Sequence, residues 1–352
     1  MARSKRTEER TWLGQVTDVA LQQAMRDADR AYQNYFASLR GKRKGRRIGA
    51  PRFKSRKDHQ DSFRITGRSN FAVRQVSKQR GQVKLPRIGW VHFALSRALP
   101  ADPSSLTVIR EPDGRHYVSF VVEAPARMVP APVHQTAGID LGLNHLAVIA
   151  HDDGTSSTIE NPRHLKKKLR MLATAQKELA RREKGSANRK KSRIKVARLH
   201  RQVRETRLDH HHKLARKVVD ENQVIGLETL SIAGMARTRL AKSIHDAGWG
   251  ILVRLIEEKA AEAGRTVARA DRAFPSTRMC SACGALGEKK PLNVRSWSCA
   301  CGATHDRDVN AAMNLRNVAA GQAETQNDCG GPTSAAPVPA GTGEAVTTPA
   351  AA

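Results

Sequence analysis

Two apolar runs in this chain each carry an acid that an ordinary buried strand has no use for. Residues 137–150 read AGIDLGLNHLAVIA, a buried strand that enters and leaves a polar turn, with Asp140 between Ile139 and Leu141. Residues 224–230 read VIGLETL, a second buried strand with Glu228 at its end. A carboxylate among apolar neighbours is costly unless it is paired or bound to a cation. A third run, Thr266–Ala270, follows a helix expected over Trp249–Ala263. Strands alternating with helices give an α/β fold, in which such acids meet at the same end of one sheet. Asp308 begins a last helix over residues 307–319, where the helix dipole favours a carboxylate. Taken singly, Asp140 could be a satisfied turn acid and Asp308 a helix N-cap. Glu228 in an apolar strand has the weakest such explanation.

Charge indicates the partner. The chain has 62 Lys and Arg against 33 Asp and Glu, a formal charge of +29. So large an excess suits a polyanion, because basic surfaces bind nucleic acid through phosphate neutralisation and counterion release. Residues 162–219 alone hold 21 Lys and Arg against four acids, on long-helix material broken near Gly185-Ser186. Leu165, Leu169, Leu172, Leu179, Ile194, Leu199, Val203 and Leu214 supply its inner face. No apolar run is long enough to span a bilayer, and no signal-peptide region follows the first residues. A cytosolic protein without a membrane partner is expected. Three clustered carboxylates on such a chain have one common use: holding two Mg²⁺ or Mn²⁺ ions about 4 Å apart for phosphodiester hydrolysis. Carboxylates suit these hard cations.

Four of the five cysteines form a separate pattern. Cys280-x-x-Cys283-Gly and Cys299-x-Cys301-Gly stand fifteen residues apart, close to a zinc-ribbon spacing. Four thiolates on two tight turns predict a structural Zn²⁺ with no open coordination position. One residue between Cys299 and Cys301, where two is usual, predicts a distorted second knuckle. Cys329 lies in a Gly-, Ala-, Thr- and Pro-rich tail, residues 320–352, expected to be disordered.

The N-terminal third differs in kind. Helical spacing runs over residues 11–40, and a basic loop follows to about residue 60, with ten Lys and Arg between Arg40 and Lys57. Six short β-type runs then occupy residues 61–125, separated by turns such as Pro112-Asp113-Gly114, which predicts a small barrel or sandwich. A Pro-rich linker, Ala124–Pro132, closes it. His210-His211-His212 reads as an exposed basic stretch and Trp249 as a helix-packing core residue. Arg307 has two open readings, a contact to the scissile phosphate or to a backbone group.

The blocks Gly138-Ile-Asp-Leu-Gly, Gly226-Leu-Glu-Thr-Leu, Ser243-Ile-His-Asp-Ala-Gly-Trp-Gly, Phe274-Pro-Ser-Thr-Arg-Met-Cys-Ser-Ala-Cys-Gly and Cys301-Gly-Ala-Thr-His-Asp-Arg-Asp-Val-Asn-Ala-Ala stand in order along the chain. In these the chain resembles the TnpB (OrfB) proteins, transposon-encoded relatives of type V CRISPR effectors. The resemblance implies an RNase H-like (RuvC) nuclease domain over residues 133–319, with Asp140, Glu228 and Asp308 as its catalytic, magnesium-binding acids. It implies a zinc ribbon at about 276–304 inserted before the final helix, held by Cys280, Cys283, Cys299 and Cys301. It further implies a wedge-like β-barrel at 61–125, part of a recognition lobe within residues 1–60, a transposon-derived guide RNA and a DNA target. A monomer is expected. Family members usually begin with a barrel strand and another helix before this region, whereas ten residues precede Thr11 here, so the barrel is expected to lack an edge strand. Two alternatives on the same scaffold are a non-cutting nucleic-acid-binding regulator and a DNA strand transferase. Three buried acids argue against the first, and the ordered blocks against the second.

Overall fold

The structure, a computed structural model, describes residues 8–52, 61–124, 128–291 and 293–328. The chain forms two compact units, one of residues up to Met128 with His164–Asp209, the other of Val129–Arg163 with His210 onward. Cys329 and the rest of the tail expected at 320–352 lie outside the described residues beyond Asp328, as do residues 53–60 of the basic loop. Among the described residues no helix is long and apolar enough to cross a membrane.

The first unit opens with a 3-10 turn, Glu8–Gln15, and helix α1, Asp18–Leu39. Six strands follow where six runs were read: β1 (Asp61–Thr66), β2 (Ala72–Ser77), β3 (Arg80–Leu85), β4 (Gly89–Ala94), β5 (Ser105–Arg110) and β6 (His116–Val121). Their ladders make two antiparallel three-stranded sheets, β1-β5-β6 and β2-β3-β4, over a shared core of Ile65, Phe71, Val83, Leu85 and Leu106. Among the described residues the two ladders do not join, so the expected barrel is a two-sheet sandwich. Alternation fixes only which side chains face inward, and both architectures satisfy it. Helices α2 (His164–Arg181) and α3 (Ala187–Glu221) meet at the break expected near Gly185, whose φ of 91° favours glycine. The basic segment 164–209 thus belongs to this unit, not to the 133–319 body expected from sequence, because its inner face packs within the unit. Arg201 of α3 bonds the buried Asp113 of the β5–β6 turn at 2.7 Å.

The second unit is a five-stranded sheet in the order β11-β10-β7-β8-β9. Its strands are β7 (His134–Leu141), β8 (His145–His151), β9 (Ser156–Glu160), β10 (Asn222–Leu227) and β11 (Thr266–Arg269). β7, β10 and β11 run parallel, and β8 and β9 return as a hairpin. Between β10 and β11 lie α4 (Ile232–Met235), α5 (Ala241–Ala247) and α6 (Trp249–Ala263). Side chains alternate across the sheet. Ile139, Leu141, Leu146, Ile149, Ile225 and Leu227 face the main core with Leu252 and Ile256 of α6 and Leu214 and Val218 of α3. Trp249 is in that core, as expected. The His210–His212 expectation fails at its centre: His211 is 1% exposed and its Nε2 bonds the Ala247 carbonyl at 3.0 Å, because the face of α3 bearing Leu214 and Val218 carries it inward.

The other face of the sheet is built from small residues. Gly138 and Gly226 stand side by side in register on β7 and β10, with Ala150 and Ala268 also on this face. Helix α7, Arg307–Asp328, packs there through Ala312, Leu315 and Ala319. A Cβ on Gly138 would collide with the backbone of Ala312 and Arg316, and one on Gly226 with the Leu315 carbonyl. The two glycines therefore set how closely the helix approaches. The helix also continues to Asp328, beyond the end expected at Ala319: nothing between the two residues breaks it, since neither Pro nor a turn cluster intervenes.

Candidate active site and metal centre

Asp140 lies two residues after Gly138 and Glu228 two after Gly226, so alternation directs both acids to the face that α7 covers. Leu227 pairs with Ile139 in the parallel ladder, and the next residue of each strand is one of these acids. Asp308 shares a helical face with Ala312, Leu315 and Ala319, at spacings of four, three and four. Packing of that face on the glycine pair carries the third carboxylate to the same strand ends. Asp140 feels the other two. Burial, then the charges of Glu228 and Asp308, push the Asp140 carboxyl up to about 8 against the weaker opposing pull of Arg307 and Arg295. Burial also raises Glu228, partly offset by a hydrogen bond from Ser276. A carboxylate held protonated by burial and then by neighbouring carboxylates is a site short of positive charge, which fits a divalent cation bound by oxygen.

Asp308 does not cap its own helix. Asp306 does, its Oδ1 accepting the backbone N–H groups of Asp308 and Val309 at 3.0 Å each. That leaves the Asp308 carboxylate free for another partner, which is Arg295: its Nη1 lies 3.1 Å from both Asp308 oxygens. Arg307 donates to the Pro291 carbonyl at 3.0 Å. A cavity of about 250 Å³ adjoins, lined by Asn144, His145, Thr158, Arg295, Asp306 and Asp308 among others.

Arg295 belongs to the segment that carries the cysteines, whose short strands β12 (Ser296–Ser298) and β13 (Thr304–Asp306) pair antiparallel. The sulfurs of Cys280, Cys283, Cys299 and Cys301 all lie within 4.8 Å of one another. Cys280–Cys301 is 3.8 Å and Cys283–Cys299 is 3.7 Å. A tetrahedron with Zn–S bonds of about 2.3 Å has an edge of about 3.8 Å, so the donor set fits zinc. The shortened Cys299-x-Cys301 pair still converges, turning at Gly302 with φ 89°. Burial raises the Cys280 thiol, but the N–H groups of Cys283 and Ala282 and the His305 ring outweigh it and bring it to about 6. Cys283 is lowered by the Ala285 N–H, yet crowding by Cys301 and Cys280 pushes it up to about 12. Cys280 lowered beside Cys283 raised is the pattern of crowded thiols that a bound cation would relieve.

Two asparagines tie the cysteine segment to α7. Asn310 and Asn314, each 1% exposed, donate to the carbonyls of Ser276 and Met279, and Asn310 accepts from the Ser281 N–H. The loop bearing Cys280 and the helix bearing Asp308 are thereby one piece. Sequence reasoning missed Arg295, Ser276, Asn310 and Asn314 as contributors. The spacing that could have revealed the helix seat is the repeated Gly-x-acid of Gly138-x-Asp140 and Gly226-x-Glu228.

Comparison with known proteins finds relatives along most of the chain. Residues 119–239 match a family profile described as "Probable transposase" (OrfB of IS605), and residues 249–315 match a Cas12f1-like TNB domain. A Streptomyces pristinaespiralis protein named "Putative RNA-guided DNA endonuclease" is 41% identical over 316 residues, 88% of this chain and 74% of that protein. The Escherichia coli K12 protein "Putative RNA-guided DNA endonuclease InsQ" is 30% identical over 91% of this chain and 78% of its own. A solved Cas12f1–sgRNA–target DNA complex shares the fold at TM-score 0.51 and 15% identity, covering 77% of this chain and 66% of that one.

Proposed function

Because this chain belongs to the TnpB (OrfB) family, we propose that it is a DNA endonuclease directed by a transposon-derived guide RNA, with Asp140, Glu228 and Asp308 as its metal-binding catalytic acids. The observation that carries this reading is the Asp140 carboxyl, pushed up to about 8 by burial and by the other two acids. Mg²⁺ or Mn²⁺ bound there would supply a Lewis acid that activates water and stabilises the leaving 3′ oxygen of the phosphodiester.

The chain's own residues do the rest. Asp140, ionised, would hold the cation together with Glu228 and Asp308. Ser276 holds Glu228 by a hydrogen bond and so fixes the direction of its carboxylate. Arg295 neutralises Asp308 through Nη1 and lines the 250 Å³ cavity, where the rest of its guanidinium would meet a phosphate oxygen. Asn310 and Asn314 keep Asp308 and Arg295 in step by joining helix to loop. Zinc on Cys280, Cys283, Cys299 and Cys301 would be structural, all four positions being filled by thiolates. The basic α2–α3 segment suits the backbone of a guide–target heteroduplex. Residues 61–125 would correspond to the family's wedge domain and α1 to part of its recognition lobe.

The test is to purify the protein with its bound RNA, sequence that RNA, and challenge matching DNA with Mg²⁺. Asp140→Ala, Glu228→Ala and Asp308→Ala should each abolish cutting while nucleic-acid binding persists. Undiminished cleavage by any one of them would refute the site.

A further inference from the structure

The cavity beside Asp308 continues the acid cluster outward along the sheet. In the ladder Asp140 of β7 stands opposite Val148 of β8, and Val148 opposite Thr158 of β9. Residues opposed in this way point to one face, so Thr158 shares the α7 side with Asp140, two strands or about 10 Å away. His145 of β8 pairs with Glu160 of β9, and Glu160 follows Thr158 by two residues, on that same side. The sheet and its turn contribute Asn144, His145 and Thr158 to the lining; α7 and the cysteine segment contribute Arg295, Asp306 and Asp308.

The acids in that lining are already engaged. Asp306 accepts two backbone N–H groups of α7, and Asp308 accepts from Arg295. The donors are not. Glu160 Oε1 lies 3.1 Å from Nδ1 of His145, which leaves Nε2 as the ring atom for the cavity. Among the described residues that Nε2, the Thr158 hydroxyl and the Asn144 amide have no hydrogen-bond partner. Donors and a guanidinium around one open volume suit an acceptor with several oxygens, and a phosphate is the one that a nuclease substrate carries. Solvation alone would explain each residue, but not why they share a cavity with Asp308 and a ladder row with Asp140. We propose that this cavity is a subsite for the phosphate next to the one cut, held by His145, Thr158 and Arg295, with Glu160 orienting the imidazole. Which phosphate is cut rests on the function proposed above; the seat for a neighbouring phosphate does not.

The experiment is an NMR titration of the full chain, isotope-labelled at its histidines, with a four-nucleotide oligothymidine and no added divalent metal, so that nothing is cut. The Cε1 signal of His145, identified by its loss in His145→Gln, should move saturably as the oligonucleotide is added. That of His134, six residues before Asp140 on β7 and about 20 Å from it, should stay in place. Thr158→Val keeps the shape of the side chain without its hydroxyl. It should raise the Kd read at His145 roughly 10-fold, the effect of one hydrogen bond to a charged group. Glu160→Ala should raise the Kd too, whereas Glu160→Gln, which still offers Nδ1 an acceptor, should not. Inorganic phosphate should move the same signal only at higher concentration, since a strand adds neighbouring contacts. An unmoved His145 signal, an equal movement of His134, or an unchanged Kd in Thr158→Val would overturn the subsite. Equal losses in Glu160→Ala and Glu160→Gln would overturn the orienting role, and tighter binding of inorganic phosphate would overturn the assignment to a strand. Because no cleavage is read, an inactive nuclease would defeat the function proposed above and leave this result standing.

Discussion

Replacing Asp140 by Asn tests the acid cluster without any substrate. The folded-state carboxyl is pushed up to about 8, whereas its ordinary value is 3.8, so the folded chain holds a proton that the unfolded chain releases between those limits. For a group raised on folding, the associated stability is fully present below the unfolded value and is lost as pH climbs through the folded one. At about 1.4 kcal/mol per pKa unit, the loss reaches about 4 kcal/mol by pH 7 and levels near 6 kcal/mol by pH 9, as an upper bound. Asn has the shape of the protonated acid and no proton to lose. In buffer free of Mg²⁺ and Mn²⁺, with the cysteine-bound metal left in place, urea unfolding of Asp140→Asn should gain on the parent steadily from pH 5 to pH 8 and then hold a constant lead. Titrating groups that do not interact with Asp140 cancel in the difference, whereas Glu228 and Asp308, which do, contribute to it. Adding Mg²⁺ should shrink the lead, because the cation favours the ionised parent. Parallel curves for the two proteins over pH 5 to 9 would refute the reasoning, since they would mean a solvated Asp140 with no acidic neighbours.

Gly226→Ala should destabilise by about 1–3 kcal/mol and depress cleavage more than nucleic-acid binding, read by thermal melting and gel assay, because the new methyl meets the Leu315 carbonyl and lifts α7 with Asp308. Asn310→Ala should cost about 1–3 kcal/mol and speed zinc loss to a chromophoric chelator, since it removes the acceptor of the Ser281 N–H and leaves the Ser276 and Met279 carbonyls to Asn314. Zinc removal, or Cys283→Ser, should lower the melting temperature and reduce cleavage indirectly; indifference to both would mean an unused thiol cluster. Asp113→Ala should cost about 3 kcal/mol, as it leaves the buried Arg201 with Glu205 alone. Burial would raise the Asp113 carboxyl, but the Arg201 bond and charge outweigh it and hold it below 3.8. That stability is present above pH 4 and lost as pH falls further, so the gap between parent and variant should close in acid.

How much of this was legible in the residues differs by element. The strands bearing Asp140 and Glu228 were, because an acid flanked by Ile139, Leu141 and Leu227 contradicts a purely structural strand, and periodicity carries that contradiction in one dimension. The cysteines were too, since two knuckles with Gly284 and Gly302 encode their own turns. The six short runs marked six strands, but alternation records only inside and outside, so a two-sheet sandwich and a closed barrel read alike. His211 read as exposed because three adjacent histidines do not declare which of them the face of α3 turns inward.

The sequence by itself singled out the groups proposed to carry chemistry: three carboxylates, four thiols and a basic excess, each conspicuous against its neighbours. Only the tertiary structure decided how they meet. Gly138 and Gly226 matter because α7 crosses them, Arg295 because its loop returns to Asp308, and Asn310 because Ser276 and Met279 lie beneath it. A polar residue's role depends on its partner, and a partner tens of residues away leaves no local pattern; burial of apolar surface does, which is why strands and cores are read first.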